Sequence, residues 1–201
     1  MPAPHPKNPS ELILASGSPY RRELLQRANY PFKCLSPDID ESPLPGEAPG
    51  DLALRLACAK AARIAPAHPD AVIIGSDQVA AFDGQLLGKP GDHDTAVHQL
   101  GACSGKSVVF HTAVCVRHDA AKFQDTHIDI TTVNFRTLTA AEIEAYVCAD
   151  KPWDCAGSFK SEGLGSALFK SIENKDPAAI IGLPMIWLIN SLRRAGLPIL
   201  G

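Results

Sequence analysis

The chain lacks the features that mark several large classes of protein. Its 201 residues contain no apolar run long enough to span a bilayer, and residues 1–10 lack the apolar core of a signal peptide. The formal net charge is −3, so there is no surplus of basic residues with which to bind duplex nucleic acid or a lipid surface. The composition therefore predicts a protein without a membrane or nucleic-acid partner.

Cysteines with the spacing of a metal or redox centre are also missing. None of the six cysteines belongs to a C-x-x-C motif, which disfavours a zinc ribbon and a thioredoxin-type centre. Several lie in apolar runs, as Cys115 does, and we interpret the set as reduced, buried cysteines of a cytoplasmic protein. The histidines show no H-E-x-x-H or other ligand spacing, and we expect surface or partly packed positions for His93, His98, His111, His118 and His127.

Three common catalytic or nucleotide-binding signatures are absent as well. No serine lies in a G-x-S-x-G turn, which disfavours a Ser-His-Asp hydrolase. The chain has neither a G-x-G-x-x-G fingerprint nor a Walker P-loop, so the glycines alone predict no known nucleotide-binding fold.

What is present is an alternation of strand-like and helix-like segments, which favours an α/β fold. Residues 1–10 are polar and rich in proline, and we expect a flexible tail there. Residues 11–201 are expected to form a single domain, which could have two lobes. The expected elements are strands at 12–15, 32–34, 71–75, 107–116 and 128–135, helices at 19–27, 51–64, 92–100 and 139–147, a final helix from Pro184 to Gly196, and a hairpin turn at Asp83-Gly84.

The turn after the first strand has an unusual charge pattern. Ser18 suits the N-cap of the following helix and Pro19 its first position, where a missing N–H costs nothing. Arg21 and Arg22 then lie in the first turn, where the helix dipole favours acidic residues. They are well placed if an anion binds there, together with the Ser16 hydroxyl and free backbone N–H groups. Two solvated arginines are the alternative.

The segment Ser76-Asp77-Gln78 follows the apolar run 71–75, and we expect Asp77 just past the end of a buried strand. Ligands of open α/β sheets bind at that place, and Asp77 could there hold a metal ion or activate water. The alternative is an aspartate that only caps a turn.

Three further polar segments suit a site for phosphate and metal. The acidic loop from Asp38 to Glu41 could hold a hard divalent cation, or be a solvated turn. Lys89, between Gly88 and Pro90, could place a charge on phosphate, although exposed loop lysines are common. Residues 155–165 combine three glycines with Lys160 and Glu162, which is typical of a loop that contacts a ligand.

Taken together, these segments resemble the Maf family of nucleoside triphosphate pyrophosphatases over nearly the whole chain, from Leu12 to about Gly196. The residues that carry the resemblance are Leu14 to Arg22, Asp40-Glu41, Leu56-Ala57, Lys60-Ala61, Ser76 to Val79, Gly88-Lys89-Pro90, Ser104-Gly105 and Gly182-Leu183-Pro184. Many ordered motifs at the family's spacing make this signal strong, although each motif alone is weak.

The resemblance implies a mixed central sheet flanked by helices, two lobes around a cleft, and assembly as a homodimer. It implies hydrolysis of a nucleoside triphosphate to the monophosphate and pyrophosphate with a divalent cation, Mg²⁺ or Mn²⁺. Asp77 then corresponds to the catalytic proton acceptor, and Glu41 with Asp77 to metal or water ligands. The phosphate-binding residues implied are Ser16, Arg21, Lys60 and Lys89.

Within the family the chain resembles the branch that hydrolyses 7-methyl-GTP, in which Tyr20, Gln78 and Glu162 correspond to specificity positions. The methylated ring carries a positive charge, which an aromatic face attracts by roughly 0.5–2 kcal/mol. Glu162 could accept hydrogen bonds from the guanine N1–H and amino group, and a pyrimidine would leave that carboxylate unpaired.

Other functions stay open at this stage. The nearest alternative is the same reaction on dTTP or UTP. Another is a non-catalytic, nucleotide-binding regulator of cell division, and a third is an unrelated α/β binding domain. The acidic composition and the presence of both Asp77 and Glu41 favour an enzyme over a regulator.

Overall fold

The computed structural model describes residues 11–197, which form five α-helices and seven strands. The strands are β1 Glu11–Ala15, β2 Lys33–Cys34, β3 Ala71–Phe82, β4 Gln85–Leu87, β5 Ser107–His118, β6 Phe123–Phe135 and β7 Phe169–Glu173. The helices are α1 Pro19–Gln26, α2 Pro49–Ile64, α3 His93–Cys103, α4 Ala140–Asp150 and α5 Met185–Arg194, with 3₁₀ turns at Ala65–Ala67, Leu164–Leu168 and Ala179–Ile181. The predicted tail at residues 1–10 lies outside the described residues.

All seven strands of this described part belong to one mixed sheet in the order β2-β1-β3-β5-β6-β7, with β4 added to β3. Strand β1 is parallel to β2 and β3, and the other pairs are antiparallel. The α/β class and the mixed sheet predicted from the sequence are therefore confirmed.

One edge of β3 has a gap in its pairing. Strand β5 covers the other edge continuously from Ile73 to Ala81. On the open edge, β1 pairs only as far as Gly75, and β4 begins only at Ala80. Within the described residues, positions 76–79 thus lack a neighbouring strand on this side. A break of this kind leaves a crevice at the end of β1, where α/β sheets bind ligands.

The hydrophobic core divides around this gap. Helix α2 packs on one face of β1 and the first half of β3, and helices α1 and α5 pack on the opposite face. Helices α3 and α4 pack against the second half of β3 and its neighbours β5 and β6. We call these two halves the first lobe and the second lobe, as the sequence led us to expect. None of the helices between residues 11 and 197 combines the length and the apolar character needed to cross a membrane.

Several local predictions are confirmed. The Ser18 side chain accepts a hydrogen bond from the Arg21 N–H at the start of α1. Thr139 and Glu142 form the expected capping box of α4. Asp83 and Gly84 connect β3 to β4 with φ values of 50° and 75°, as a hairpin with an Asp-Gly turn requires.

Other boundaries were predicted wrongly. Strand β3 does not end at Gly75 but continues to Phe82, because it is held by pairing with β5. Helix α3 passes through Gly101 and ends at Cys103, and strand β6 begins at Phe123, five residues before the predicted start. The short edge strand β7 was not predicted, since its sequence FKSIE is mostly polar and all but its first residue are exposed.

Candidate active site

A cavity of about 640 Å³ lies at the gap in the sheet, between the two lobes. Its walls come from the turn after β1, helix α2, the open edge of β3, the β4–α3 connection and the segment after α4. It is lined by every residue that the sequence singled out as a site residue: Ser16, Tyr20, Arg21, Glu41, Lys60, Asp77, Gln78, Lys89 and Glu162. The motifs are far apart in the sequence, so their spacing alone does not predict that they line the same cavity.

Lys60 lies between two carboxylates at the floor of the cavity. Its Nζ is 2.6 Å from Oδ1 of Asp77 and 2.8 Å from Oε1 of Glu41. Lys60 and Asp77 are both buried, whereas the side chain of Glu41 is about half exposed. Asp77 and Glu41 repel each other at this short range, and the positive charge of the Lys60 ammonium group offsets that repulsion.

A close helix–strand contact explains why Lys60 meets Asp77. A Cβ atom on Gly75 would lie 2.1 Å from the carbonyl oxygen of Ala57, so that only glycine lets α2 approach β3 this closely. Asp77 follows Gly75 by two residues and points to the same face of the strand, and Lys60 follows Ala57 by nearly one helical turn. The contact at Gly75 therefore sets the distance between the two charged groups.

The prediction that Asp77 follows a strand was wrong in its geometry. Asp77 lies inside β3, opposite Ala113 of β5. What ends near Asp77 is β1, whose last pair joins Ala15 to Gly75. Asp77 is therefore exposed to the cavity by the end of the neighbouring strand, and it is held in place by the strand on its other side.

Arg21 points into the cavity from the first turn of α1. Its Nε donates to the carbonyl oxygen of Gly182 at 3.1 Å, and its Nη1 lies 3.5 Å from Oγ of Ser16. Removal from water lowers the pKa of Arg21, and the nearby carboxylates of Asp77 and Glu41 oppose that change. Arg22, by contrast, is exposed. The expected anion site can thus involve Arg21 and Ser16, whereas Arg22 fits the alternative of a solvated arginine.

Gln78 is held in one orientation by its hydrogen bonds. Its side-chain nitrogen donates to the carbonyl oxygens of Ala179 and Ile180, at 3.1 and 3.0 Å, and to Thr112 Oγ1 at 2.9 Å. Backbone carbonyls accept only, so the amide must face them with its nitrogen. The group that Gln78 has left for a ligand is therefore its side-chain oxygen, an acceptor.

Tyr20 and the segment after α4 form another part of the cavity wall. The Tyr20 hydroxyl lies 3.3 Å from both carboxylate oxygens of Asp154. Burial raises the pKa of the Tyr20 hydroxyl. Cys155, next to it, has a pKa raised to about 11, chiefly by burial, so it is a neutral thiol at neutral pH. Glu162 lies exposed at the rim and accepts from Ser161 at 3.0 Å.

Two charged cavity residues, Asp154 and Lys160, were assigned no catalytic, metal, phosphate-binding or specificity role from the sequence. Asp154 lies just before the glycine-rich segment in which a ligand-contacting loop was expected, and Lys160 lies within it. Lys160 is anchored, because its Nζ donates to the carbonyl oxygen of Asp150 at the end of α4, at 2.7 Å. The composition of the loop indicated a ligand site, but only the fold shows which side chains of the loop face the cavity.

The donor set at the cavity floor fits a hard divalent cation. Glu41 and Asp77 provide carboxylate oxygens, the ligands that Mg²⁺ and Mn²⁺ prefer, and both contact the same ammonium group. Two side chains leave other positions for water or phosphate oxygens, as is usual for Mg²⁺ in nucleotide sites.

Comparison with known proteins gives a consistent result. The model of the family described as Maf-like protein matches residues 11–195. A protein of Albidiferax ferrireducens named 7-methyl-GTP pyrophosphatase is 54% identical over 191 residues, which cover 95% of this chain and 96% of the relative. Relatives with the same name occur in Bordetella pertussis, 54% identical over 96% of both chains, and in Burkholderia pseudomallei, 51% identical over 98% of this chain and 93% of the relative.

Proposed function

Because the chain belongs to the Maf-like protein family, we propose that it hydrolyses 7-methyl-GTP to 7-methyl-GMP and pyrophosphate. The single observation that supports this most is the position of Asp77. It lies at the open edge of β3, in a cavity that it shares with Lys60, Glu41, Arg21 and Lys89. A carboxylate beside several cations suits attack by water on a phosphate chain.

The triphosphate is bound by the cationic side of the cavity. Arg21 presents a planar guanidinium group that suits two phosphate oxygens, and Lys60 and Lys89 act as single charges. The Ser16 hydroxyl adds a hydrogen-bond donor. These groups come from the turn after β1, from α1 and α2, and from the β4–α3 connection, so that the phosphate chain contacts both lobes.

A divalent cation, Mg²⁺ or Mn²⁺, is part of the proposal. The cavity lining contains four cationic residues, Arg21, Lys60, Lys89 and Lys160, and four acidic residues, Glu41, Asp77, Asp154 and Glu162. A bound triphosphate therefore needs further positive charge. Glu41 and Asp77 would hold the ion, which supplies electrostatic stabilisation of phosphate oxygens.

Asp77 acts as the proton acceptor. Its carboxylate orients a water molecule towards the α-phosphorus and takes its proton as the new P–O bond forms. The bond between the α-phosphorus and the bridging oxygen breaks, and the electron pair leaves with pyrophosphate. Arg21, Lys60 and Lys89 stabilise the charge that develops on this leaving group.

The methylated base is selected at another part of the cavity wall. The Tyr20 ring attracts the cationic base, and the Asp154 carboxylate beside its hydroxyl adds negative charge there. Gln78 and Glu162 both offer acceptor oxygens, which match the N1–H and amino donors of guanine. Because Glu162 is exposed, its contribution depends on the base covering it.

A homodimeric assembly and a cytoplasmic location follow from sequence reasoning alone and stay predictions.

Product analysis with 7-methyl-GTP, GTP, dTTP and UTP, each with and without Mg²⁺, tests the reaction. We expect pyrophosphate and a monophosphate from 7-methyl-GTP, and little turnover without the metal. Asp77→Asn should lower kcat by orders of magnitude at unchanged circular dichroism, whereas Asp83→Asn, at the exposed hairpin turn, should not. Release of single phosphates, or near-normal turnover by Asp77→Asn, would contradict the mechanism.

Selectivity is tested separately with Glu162→Ala. We expect the ratio of kcat/KM for 7-methyl-GTP over UTP to fall, with no change in the melting temperature. Glu23→Ala, on the exposed side of α1, is the matched control. If both variants keep the wild-type ratio, Glu162 does not contribute to selection of the base. A preference of the wild type for dTTP or UTP would instead support the pyrimidine alternative.

A further inference from the structure

A cluster of potential metal ligands lies outside the cavity, where α3 begins beside α4. Nε2 of His93 is 2.8 Å from Oε1 of Glu144, and Sγ of Cys148 is 3.4 Å from the same oxygen. Sγ of Cys148 is 4.0 Å from Nε2 of His93. Glu144 and Cys148 are one helical turn apart on α4, so that both side chains point towards His93. Residue spacing did not indicate this cluster, because its members come from two separate helices, and Cys148 is exposed rather than buried as expected.

The spacing of these three atoms is close to that of a tetrahedral zinc site. Ligands at the usual zinc distances, about 2.0–2.3 Å, are about 3.4–3.6 Å apart when they occupy corners of a tetrahedron. The three separations here, 2.8, 3.4 and 4.0 Å, differ from those values by up to about 0.6 Å. Rotation of the exposed Glu144 and Cys148 side chains can supply that difference. A fourth corner is left for water.

A second feature matches metal-binding histidines specifically. Nδ1 of His93 lies 3.1 Å from Oδ1 of Asp94. A histidine that binds zinc through Nε2 almost always donates its other N–H to a carboxylate or carbonyl, which fixes the tautomer and the ring direction. Trp153 packs against the His93 ring, with ring centroids 6.3 Å apart, and further limits its rotation.

We propose that His93, Glu144 and Cys148 form a binding site for Zn²⁺, with Asp94 orienting His93. Thiolate and imidazole ligands favour Zn²⁺ over the hard Mg²⁺ ion that the carboxylates of the cavity suit. On binding, the Cys148 thiol loses its proton to solvent as the metal–sulfur bond forms. This inference does not depend on the proposed pyrophosphatase activity.

The position of the site suggests what bound zinc does. Helix α3 starts directly after the connection that contains Lys89, and Trp153 directly precedes Asp154. Lys89 and Asp154 both line the cavity. These two connections are joined by a hydrogen bond from the Gly91 N–H to the Trp153 carbonyl at 3.0 Å. Zinc held by His93 of α3 and by Glu144 and Cys148 of α4 joins these two helices next to the two connections, and so stabilises the second lobe.

Cobalt spectroscopy on the full-length, chelator-treated protein tests the site. Co²⁺ reports thiolate ligation through a charge-transfer band in the near ultraviolet, and the carboxylate pair in the cavity cannot produce it. We expect one equivalent of Co²⁺ to generate the band and Zn²⁺ to abolish it. Cys148→Ser should remove the band, and Asp94→Asn should weaken zinc binding by about 10–100-fold. Zn²⁺ should also raise the melting temperature of the wild type by several degrees but not that of Cys148→Ser.

Two control variants separate this site from other thiols. Cys34→Ser, on the short strand β2, should keep the band. Cys155→Ser should keep it too, although Cys155 lines the cavity. The proposal is overturned if the wild type gives no band, or if the band survives in Cys148→Ser. If Cys148→Ser fails to fold, His93→Gln provides the same test, with an expected loss of affinity of at least tenfold.

Discussion

At the scale of single residues, the buried ammonium group of Lys60 carries most of the electrostatic balance of the cavity floor. Its side chain is 8% exposed and that of Asp77 is 10% exposed, so that water screens their ion pair weakly. Removing one partner of a fully buried pair costs about 3–5 kcal/mol, because the other charge is left without compensation. The half-exposed Glu41 moderates that cost here, since solvent reaches its carboxylate.

Lys60→Met keeps the length of the side chain and removes its charge. We expect kcat to fall by about 100-fold or more, as when one stabilising group of a transition state is deleted. Stability to urea should fall as well, because Asp77 and Glu41 then face each other without a cation. Adding Asp77→Asn should recover part of that stability but no activity. Lys170→Met, on the exposed strand β7, is the control. If the double variant were no more stable than Lys60→Met, the repulsion argument would be wrong.

Residue patterns alone pointed to Arg21, Asp77 and Lys89 as candidate site residues, whereas Lys60, Tyr20 and Gln78 were implied only by the resemblance to the family. Arg21 stood out because a basic residue in the first turn of a helix opposes the helix dipole, and Asp77 stood out because it directly follows a buried apolar run. The sequence could not show that Gln78 uses its nitrogen to bind the backbone at Ala179 and Ile180. That orientation depends on a contact about a hundred residues away in the chain.

At the scale of secondary-structure elements, the contact between α2 and β3 sets the geometry of the site. Gly75→Ala places a Cβ atom 2.1 Å from the Ala57 carbonyl oxygen and 2.8 Å from the Ala61 nitrogen, so the helix must move. We expect a loss of about 1–3 kcal/mol in the free energy of unfolding, as for other overpacked positions. Activity should fall too, because Lys60 moves with the helix while Asp77 stays in the strand.

A helical glycine with free space provides the comparison. Gly101 lies inside α3, and nothing lies within 4 Å of the position that its Cβ would take. Gly101→Ala should raise the free energy of unfolding by up to about 1 kcal/mol and leave activity unchanged. Denaturant unfolding and kcat/KM of both variants test the pair. A Gly75→Ala enzyme with normal stability and turnover would show that the close approach of α2 is not required.

Strand β6 contains a buried carboxylate whose effect on stability depends on pH. Asp129 is 3% exposed, and within the described residues its Oδ1 has no hydrogen-bond partner. Removal from water raises the pKa of Asp129, and the nearby carboxylate of Asp176 raises it further, although His127 and Lys175 lower it. The folded state therefore binds the proton more tightly than the unfolded chain. The contribution of Asp129 to the free energy of unfolding therefore falls as the pH rises through the raised pKa, and it is constant above that pKa.

Asp129→Asn removes this cost while it preserves the shape of the side chain. We expect the variant to melt at a higher temperature than the wild type at neutral pH. The difference should shrink as the pH falls towards about 4, where an ordinary aspartate also takes up its proton. Asp83→Asn, in the exposed hairpin turn, should show no such trend. A difference in melting temperature that is constant across this pH range would exclude the titration of Asp129 as its cause.

The elements also show where sequence patterns stop being informative. Apolar runs located β1 and the first half of β3, because both are buried on two faces. The second half of β3 is a strand because β5 pairs with it up to Ala81. The sequence pattern does not predict this part of the strand, because the segment Ser76-Asp77-Gln78 is polar. The capping box at Thr139 and the Asp-Gly turn were predicted correctly, since they depend on neighbouring residues only.

At the scale of the whole molecule, the cavity is shared between two halves of one sheet. The first lobe contributes the turn after β1 and helix α2, and the second contributes the β4–α3 connection and the segment after α4. Strands β3 and β5 run through both lobes, so the connection between them is continuous sheet rather than a linker. A nucleotide that spans the cavity should therefore stabilise both lobes at once.

Hydrogen–deuterium exchange with a 7-methyl-GTP analogue, methylene-bridged between the α- and β-phosphorus, measures this coupling. We expect slower exchange in both lobes, in residues 16–21, 56–60, 86–89 and 154–162. Inorganic pyrophosphate has the phosphates but no base, and it should slow exchange in 16–21, 56–60 and 86–89 while leaving 154–162 unchanged. Protection by the nucleotide in one lobe only would show that it does not span the cavity. Protection of 154–162 by pyrophosphate alone would mean that this segment binds phosphate, so that base selection by Glu162 would have to be abandoned.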